Sequence, residues 1–192
     1  MILETIVTTL NADGGVHIAP MGIRVQDDQV VIAPFKPSTT LQNIRRSGHA
    51  VINLTDDVRV FAGCLTGRYD WPTRPAVGFP GQFLDAALVH IETEVARVEE
   101  DELRPRFHCR ELRRGVHGEF RGFNRAQAAV LEAAILVSRL DRLPPEQVDR
   151  ELEYLRSAVD KTAGERERLA WSWLVDHVER FRRTDLREAG SR

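Results

Sequence analysis

The chain is poor in the features that make a sequence easy to place. Its 192 residues hold two cysteines, Cys64 and Cys109. Far apart and unaccompanied, they exclude a disulfide scaffold and fit a reducing compartment. His108, Cys109 and His117 fall near one another, but no C-x-x-C or H-E-x-x-H spacing is present, so no metal is expected. The G-x-G-x-x-G fingerprint and the Walker loop are both missing, which argues against a Rossmann or P-loop nucleotide site. Nothing supplies a Ser-His-Asp set or a cysteine nucleophile motif; any chemistry is expected to be carried by a cofactor. No apolar run reaches membrane-spanning length, and the N-terminus lacks the charged-then-apolar layout of a signal peptide. Twenty-seven basic against 29 acidic residues leave a net charge of −2, with no general pull toward nucleic acid or an anionic membrane. A soluble cytoplasmic protein is expected, of one generous domain or one medium domain with an appendage.

What is there divides in two. The first 120 or so residues are β-rich. Met1 to Leu10 carries β-branched residues and ends in Asn11-Ala12-Asp13-Gly14-Gly15, a hairpin signal. Val16 to Val25 reads as the return strand, with Ala19, Met21, Ile23 and Val25 on one face. A turn is expected at Gln26-Asp27-Asp28, a short buried strand at Val30 to Ala33, and a helix from about Thr39 to Ser47. Ala50 to Leu54 and Val58 to Leu65 read as two further strands, and proline-rich Arg68 to Gly81 as a loop. Phe83 to Glu99 alternates, with His90, Glu92 and Glu94 opposite Val89, Ile91, Thr93 and Val95; Arg104 to Val116 is its expected partner. After Asn124 the period becomes helical. Ala126 to Leu140 is followed by a helix opened by Pro144-Pro145, with Val148, Leu152, Leu155 and Val159 on one face. A third follows the break at Thr162-Ala163-Gly164, with Leu169, Trp173, Leu174, Val178 and Phe181 on one side. The last residues are expected to fray. The reading is an α+β protein: a six- or seven-stranded antiparallel barrel (1–120) with a C-terminal three-helix unit (121–192).

The most informative segment runs from Ala33 to Gly48. A proline-bounded turn leads into Ser38-Thr39-Thr40 at a helix start. Helix starts present unpaired backbone N–H groups and a partial positive charge. Three hydroxyls with Lys36 nearby therefore make a cradle for a phosphate or another small anion. Thr39 to Gln42 also fits a T-x-x-Q capping box, so plain capping is the competing reading. In His17 to Arg24, Pro20 cannot donate to a ladder and Gly22 has no side chain, which places this strand at an edge or bulge that something flat can approach. Arg24, opposite Met21, is either solvated or aimed at an anion. Asn53, in an apolar strand, needs a hydrogen-bond partner, either a ligand edge or a neighbouring backbone group. Seven arginines between Arg104 and Arg125 are interleaved with Phe107, Phe120 and Phe123, a pattern able to bind single-stranded nucleic acid, but Glu102, Glu111 and Glu119 offset them. Arg121-Gly122-Phe123-Asn124-Arg125 ends at a helix N-cap residue, Asn124.

Taken together, Ile18-Ala19-Pro20-Met21-Gly22, Pro34 through Ile44, and Val51 through Val58 resemble the DUF447 family. So do Arg121-Gly122-Phe123-Asn124-Arg125 and Val130 through Ile135. That family is similar to the FMN-binding split barrels, including flavin reductase-like and pyridoxamine-phosphate-oxidase-like proteins. The resemblance implies an antiparallel split β-barrel with a C-terminal helical extension, assembled as a homodimer with FMN at the subunit interface. It implies Ser38, Thr39 and Thr40 as phosphate ligands with Lys36 as charge support, Pro20, Met21 and Gly22 along the isoalloxazine, and Asn53 on the flavin or ribityl chain. Arg24, Phe123 and Asn124 would reach a flavin across the dimer. No catalytic residue transfers. The implied function is that of a flavin-dependent oxidoreductase using NAD(P)H or a deazaflavin-like donor, with a setting in one-carbon or methanopterin metabolism. Two rivals remain: a non-catalytic FMN-binding, storage or electron-transfer protein, and a nucleic-acid-binding barrel.

Overall fold

The computed structural model describes residues 1–26 and 29–189, with only the backbone given for Gln26 and 185–189. The turn expected at Gln26-Asp27-Asp28 falls on Asp27 and Asp28, and the fraying expected of the last residues on 190–192, outside the described residues.

Two compact units form. The first holds residues 1–56 and 70–120. Its strands are β1 (Ile2–Leu10), β2 (Val16–Gln26), β3 (Gln29–Ile32), β4 (His49–Leu54), β5 (Thr73–Pro75), β6 (Gln82–Leu84), β7 (Val89–Glu99) and β8 (Arg106–Val116), with helix α1 (Thr39–Ser47) between β3 and β4. Six strands close an antiparallel barrel in the order β1-β2-β3-β8-β7-β4, and β4 completes the ring by pairing with β1. The first hairpin turns where the sequence said it would: Gly14 takes φ 86°, a conformation open to glycine, and its N–H donates to Asn11 O at 3.0 Å. Inward positions alternate along each strand, so Val7, Ile23, Ile32, Ile52, Ile91 and Phe107 form one buried cluster, completed by Leu41 and Ile44 of α1.

The second unit joins residues 57–69 to the chain from Arg121 onward. It contains α2 (Val58–Leu65), α3 (Arg125–Val137), α4 (Pro145–Thr162) and α5 (Glu165–Ala189). Here the strand expected at Val58 to Leu65 is overturned. Val58, Val60, Phe61, Ala62 and Cys64 are all buried, so the segment lacks one polar side, and a short run buried all round does not distinguish strand from helix. Asp57 decides it by capping: its carboxylate accepts from Arg59 N at 3.2 Å. Val58 and Ala62 then join Val130, Ala133, Val148 and Leu174 in the helical core. Along α5 the buried face runs through Ala170, Trp171, Leu174 and Val178, whereas Leu169 and Phe181 are exposed.

The proline-rich loop also departs from expectation. Thr73–Pro75 pairs with Gln82–Leu84 as a small separate sheet, and Ala87 N bonding to Leu84 O breaks the long strand expected from Phe83. This hairpin lies on the outside of the barrel, where Phe83, Phe79 and Ala76 cluster with Val51.

Candidate functional site

The loop between β3 and α1 is built to hold a helix start open. Arg104 clamps it, donating to Ala33 O from Nε and Nη2 (3.1 and 2.9 Å) with its guanidinium 4.2 Å above the Phe35 ring. Lys36 N donates to Leu103 O at 2.9 Å, and Lys36 Nζ reaches Asp101 O at 2.7 Å and Glu100 at 3.6 Å. Ser38 is extended (φ −156°, ψ 152°) and its hydroxyl accepts from Leu41 N at 3.3 Å, so the N-cap is Ser38, one residue before the capping box read from Thr39. Thr39 is exposed and Thr40 buried. The first turn of α1 has no acidic residue, whereas its last turn holds Arg45 and Arg46; nothing on the helix itself neutralises the positive end of its dipole. Of the three hydroxyls, one is committed to capping, one is turned inward and one faces out.

β2 splits its candidate residues between two faces. Met21 points into the lumen with the core cluster, and Thr5 Oγ1 donates to its carbonyl at 2.9 Å. Pro20, Gly22 and Arg24 lie on the outer face, opposite Ile6, Glu4 and Ile2 of β1. Among the described residues β3 accompanies β2 only over Arg24–Gln26, so at Pro20 the strand has a ladder on one side, where proline is tolerated.

Asn53 is wholly buried. Its Nδ2 donates to Ile6 O at 3.0 Å and its Oδ1 accepts from Leu84 N at 2.7 Å. The amide thus ties β1 to β6 through β4, the backbone-partner alternative of the sequence reading. Beside it lies a network that sequence reasoning did not assemble. Arg113 grips the buried Glu92 carboxylate with Nε (3.1 and 3.0 Å) and Nη2 (2.6 Å). Glu92 Oε1 is 3.2 Å from His90 Nε2, and His90 Nδ1 is 2.6 Å from His117 Nε2. Both imidazoles stack under Phe83, with centroids at 4.2 and 4.6 Å. Gly115 makes the space: a β-carbon there would come within 2.3 Å of His90 Cε1. Burial, then the neighbouring charges of His90 and Arg74, hold the His117 imidazole below its ordinary pKa. The available signal was alternation, which put His90 and Glu92 on one face of β7 without revealing that β6 would cover it.

The family model described as "Protein of unknown function (DUF447) N-terminal domain" matches residues 3–118, and "Protein of unknown function (DUF447)" matches its C-terminal counterpart at residues 124–176. The chain belongs to the DUF447 family. No curated protein matches the sequence. Among solved structures, the FMN-bound DUF447 protein MM1853 from Methanosarcina mazei is similar over 92% of this chain and 94% of its own, at 20% identity and a TM-score of 0.79. The styrene monooxygenase flavin reductase from Pseudomonas putida S12 is similar over 59% of this chain and 78% of its own (16% identity, TM-score 0.51). The flavoredoxin of Desulfovibrio vulgaris (Miyazaki F) covers 60% and 70% (15%, 0.51). At these identities the likeness is one of fold.

In the C-terminal DUF447 region, Asn124 caps α3. Its Oδ1 accepts from Ala126 N at 2.8 Å and its Nδ2 donates to Thr162 O at 3.1 Å. Phe123, just before it, is 99% exposed. The arginine-rich stretch is mostly engaged internally: Arg106 with Glu99, Arg110 with Glu94, Arg113 with Glu92 and Arg114 with Glu111.

Proposed function

We propose that this DUF447 protein is a flavoprotein that binds FMN, with the phosphate at the N-terminus of α1, and that it works as a flavin-dependent oxidoreductase of the flavin-reductase type. The observation that carries the reading is the start of α1: exposed Thr39 beside the capping Ser38, Lys36 in the clamped loop before it, and no carboxylate in the first turn. That donor set of hydroxyls, helix N–H groups and an ammonium suits a phosphate dianion. A fold shared with an FMN-bound family member and with flavin reductases supports the same reading. Thr39 and Ser38 would hold the phosphate with Lys36 as charge support, while buried Thr40 acts through the shape of the turn. Pro20 and Gly22, on the outer face of β2, would lie along the ring once the Ile2 and Glu4 side chains that close on Gly22 move aside, with Arg24 as a cation beside it. Bound FMN supplies two-electron chemistry, so no dedicated acid–base pair is needed from the chain. Physiological electrons would come from NAD(P)H or a deazaflavin-like donor, in a cytoplasmic homodimer, and one-carbon or methanopterin metabolism is the setting we favour.

The test is the visible spectrum of the purified protein after FMN is added and excess removed, followed by anaerobic mixing with NADH and NADPH. Retained flavin bleached by either donor supports the enzyme. Retained flavin that no tested donor reduces favours a carrier, and failure to retain FMN removes the flavin reading altogether.

A further inference from the structure

The two ends of the barrel differ. α1 lies at the Thr9–Asn11 end of β1, where Asn43 Nδ2 donates to Thr9 Oγ1 and Asn11 Oδ1 at 3.0 and 2.9 Å. At the Met1–Leu3 end the lumen opens into a cavity of about 710 Å³. Its floor is buried Ile23, Val30 and Ile91, its wall Leu3 and Leu54, and its rim carries Arg110 and Arg114. Small-molecule sites have this size, roughly 300–1,000 Å³, and this make-up of apolar walls with a few placed polar groups.

The charge at the rim is placed by a bulge. In the β7–β8 ladder Glu92 faces Arg113 and Thr93 faces Glu111, so Leu112 has no partner. An extra residue in one strand reverses the alternation beyond it and re-aims the side chains. Arg114 therefore stands opposite inward-facing Ile91, and Glu111 opposite buried Thr93. Both lie on the lumen side, while Arg113 turns outward to Glu92. At the mouth of this apolar lumen, half-exposed, Arg114 Nε and Nη2 hold the Glu111 carboxylate at 3.0 and 2.7 Å. These bonds occupy two of the five N–H donors of a guanidinium and leave the others for a ligand.

We propose that the open end of the barrel binds one small amphipathic carboxylate, its apolar tail in the lumen and its head on Arg114. Glu111 shows which group the Arg114 guanidinium takes, and it competes for it. The site is separate from the α1 N-terminus and does not depend on the flavin reading. Calorimetric titration of the full-length protein with decanoate, and with 1-decanol as the uncharged control, tests it. Decanoate is expected to bind saturably at one per chain, about tenfold or more tighter than decanol, a difference of one charge-assisted head-group contact. Arg114→Met should bring decanoate to the level of decanol, and Glu111→Gln should tighten decanoate by removing its rival. Leu54→Trp, which fills the lumen without touching the charges, should abolish both. Circular dichroism confirms that each variant is folded. No saturable decanoate binding (the result if a second copy covers the mouth), equal binding of the two probes, or an unaffected Arg114→Met variant overturns the proposal.

Discussion

Single residues carry the sharpest distinctions in this molecule. Ser38 and Thr39 are neighbours with different tasks, and two substitutions separate them. Ser38→Ala removes the cap of α1 and should cost about 1 kcal/mol of stability, measured by urea unfolding. Thr39→Ala should leave stability nearly unchanged and weaken FMN by about 1–2 kcal/mol, roughly tenfold, because it removes a bond to a charged group. Asn53 was legible as a residue in need of a partner, since an amide in an apolar strand must be satisfied. Which partner it finds was not, because Leu84 arrives from a hairpin 31 residues away. Asn53→Leu strands the buried Leu84 N–H and should destabilise the fold by about 1–3 kcal/mol. The two cysteines make a complementary prediction. Burial pushes both thiols up to about 12, so iodoacetamide at neutral pH should label neither in the folded protein and both after unfolding.

At the scale of elements, periodicity gave the order of strands and helices wherever one face meets water. β7, α1 and α4 were readable because their apolar residues repeat at two or at three to four residues, whereas β1, buried continuously from Thr5 to Thr9, was readable from its β-branched residues and the turn that ends it. It failed at α2, where burial on all sides leaves no period, and at β5–β6, where three-residue strands are too short to have one. The bulge in β8 was equally invisible, since a single extra residue in a polar strand changes no composition. The β6 hairpin contributes to a pH dependence by stacking Phe83 on His117. Relative to the ordinary 6.5, burial lowers His117, with help from the charges of His90 and Arg74, and burial likewise lowers His17. A lowered histidine means that the unfolded chain takes up its proton first as the pH falls. Stability should therefore be intact above pH 6.5 and decline as the pH drops through that value toward the folded-state pKa values. Thermal midpoints at about pH 7.5 and about pH 5.5 check the sign, and His117→Asn should flatten the slope. A stability that rises on acidification would contradict it.

For the whole molecule, the antiparallel barrel with a helical extension was legible from the switch of period after Asn124 together with the family's motifs. The contribution of residues 57–69 to the helical unit was not, because chain order cannot show which unit a buried segment joins. The arginines of β8 face glutamates across or along the sheet, as at Arg110–Glu94 and Arg113–Glu92, a pairing that composition alone does not reveal. What composition could not provide is the ligand, and there the account stands on the start of α1. The measurement that bears on it most directly is a paired titration of FMN and riboflavin into the wild-type protein and into a variant with Ser38, Thr39 and Thr40 all replaced by alanine. Wild type should prefer FMN, and the variant should lose FMN affinity by well over tenfold while riboflavin binding is nearly retained, because only FMN carries the phosphate. Equal losses for the two ligands, or no wild-type preference for FMN, would contradict it.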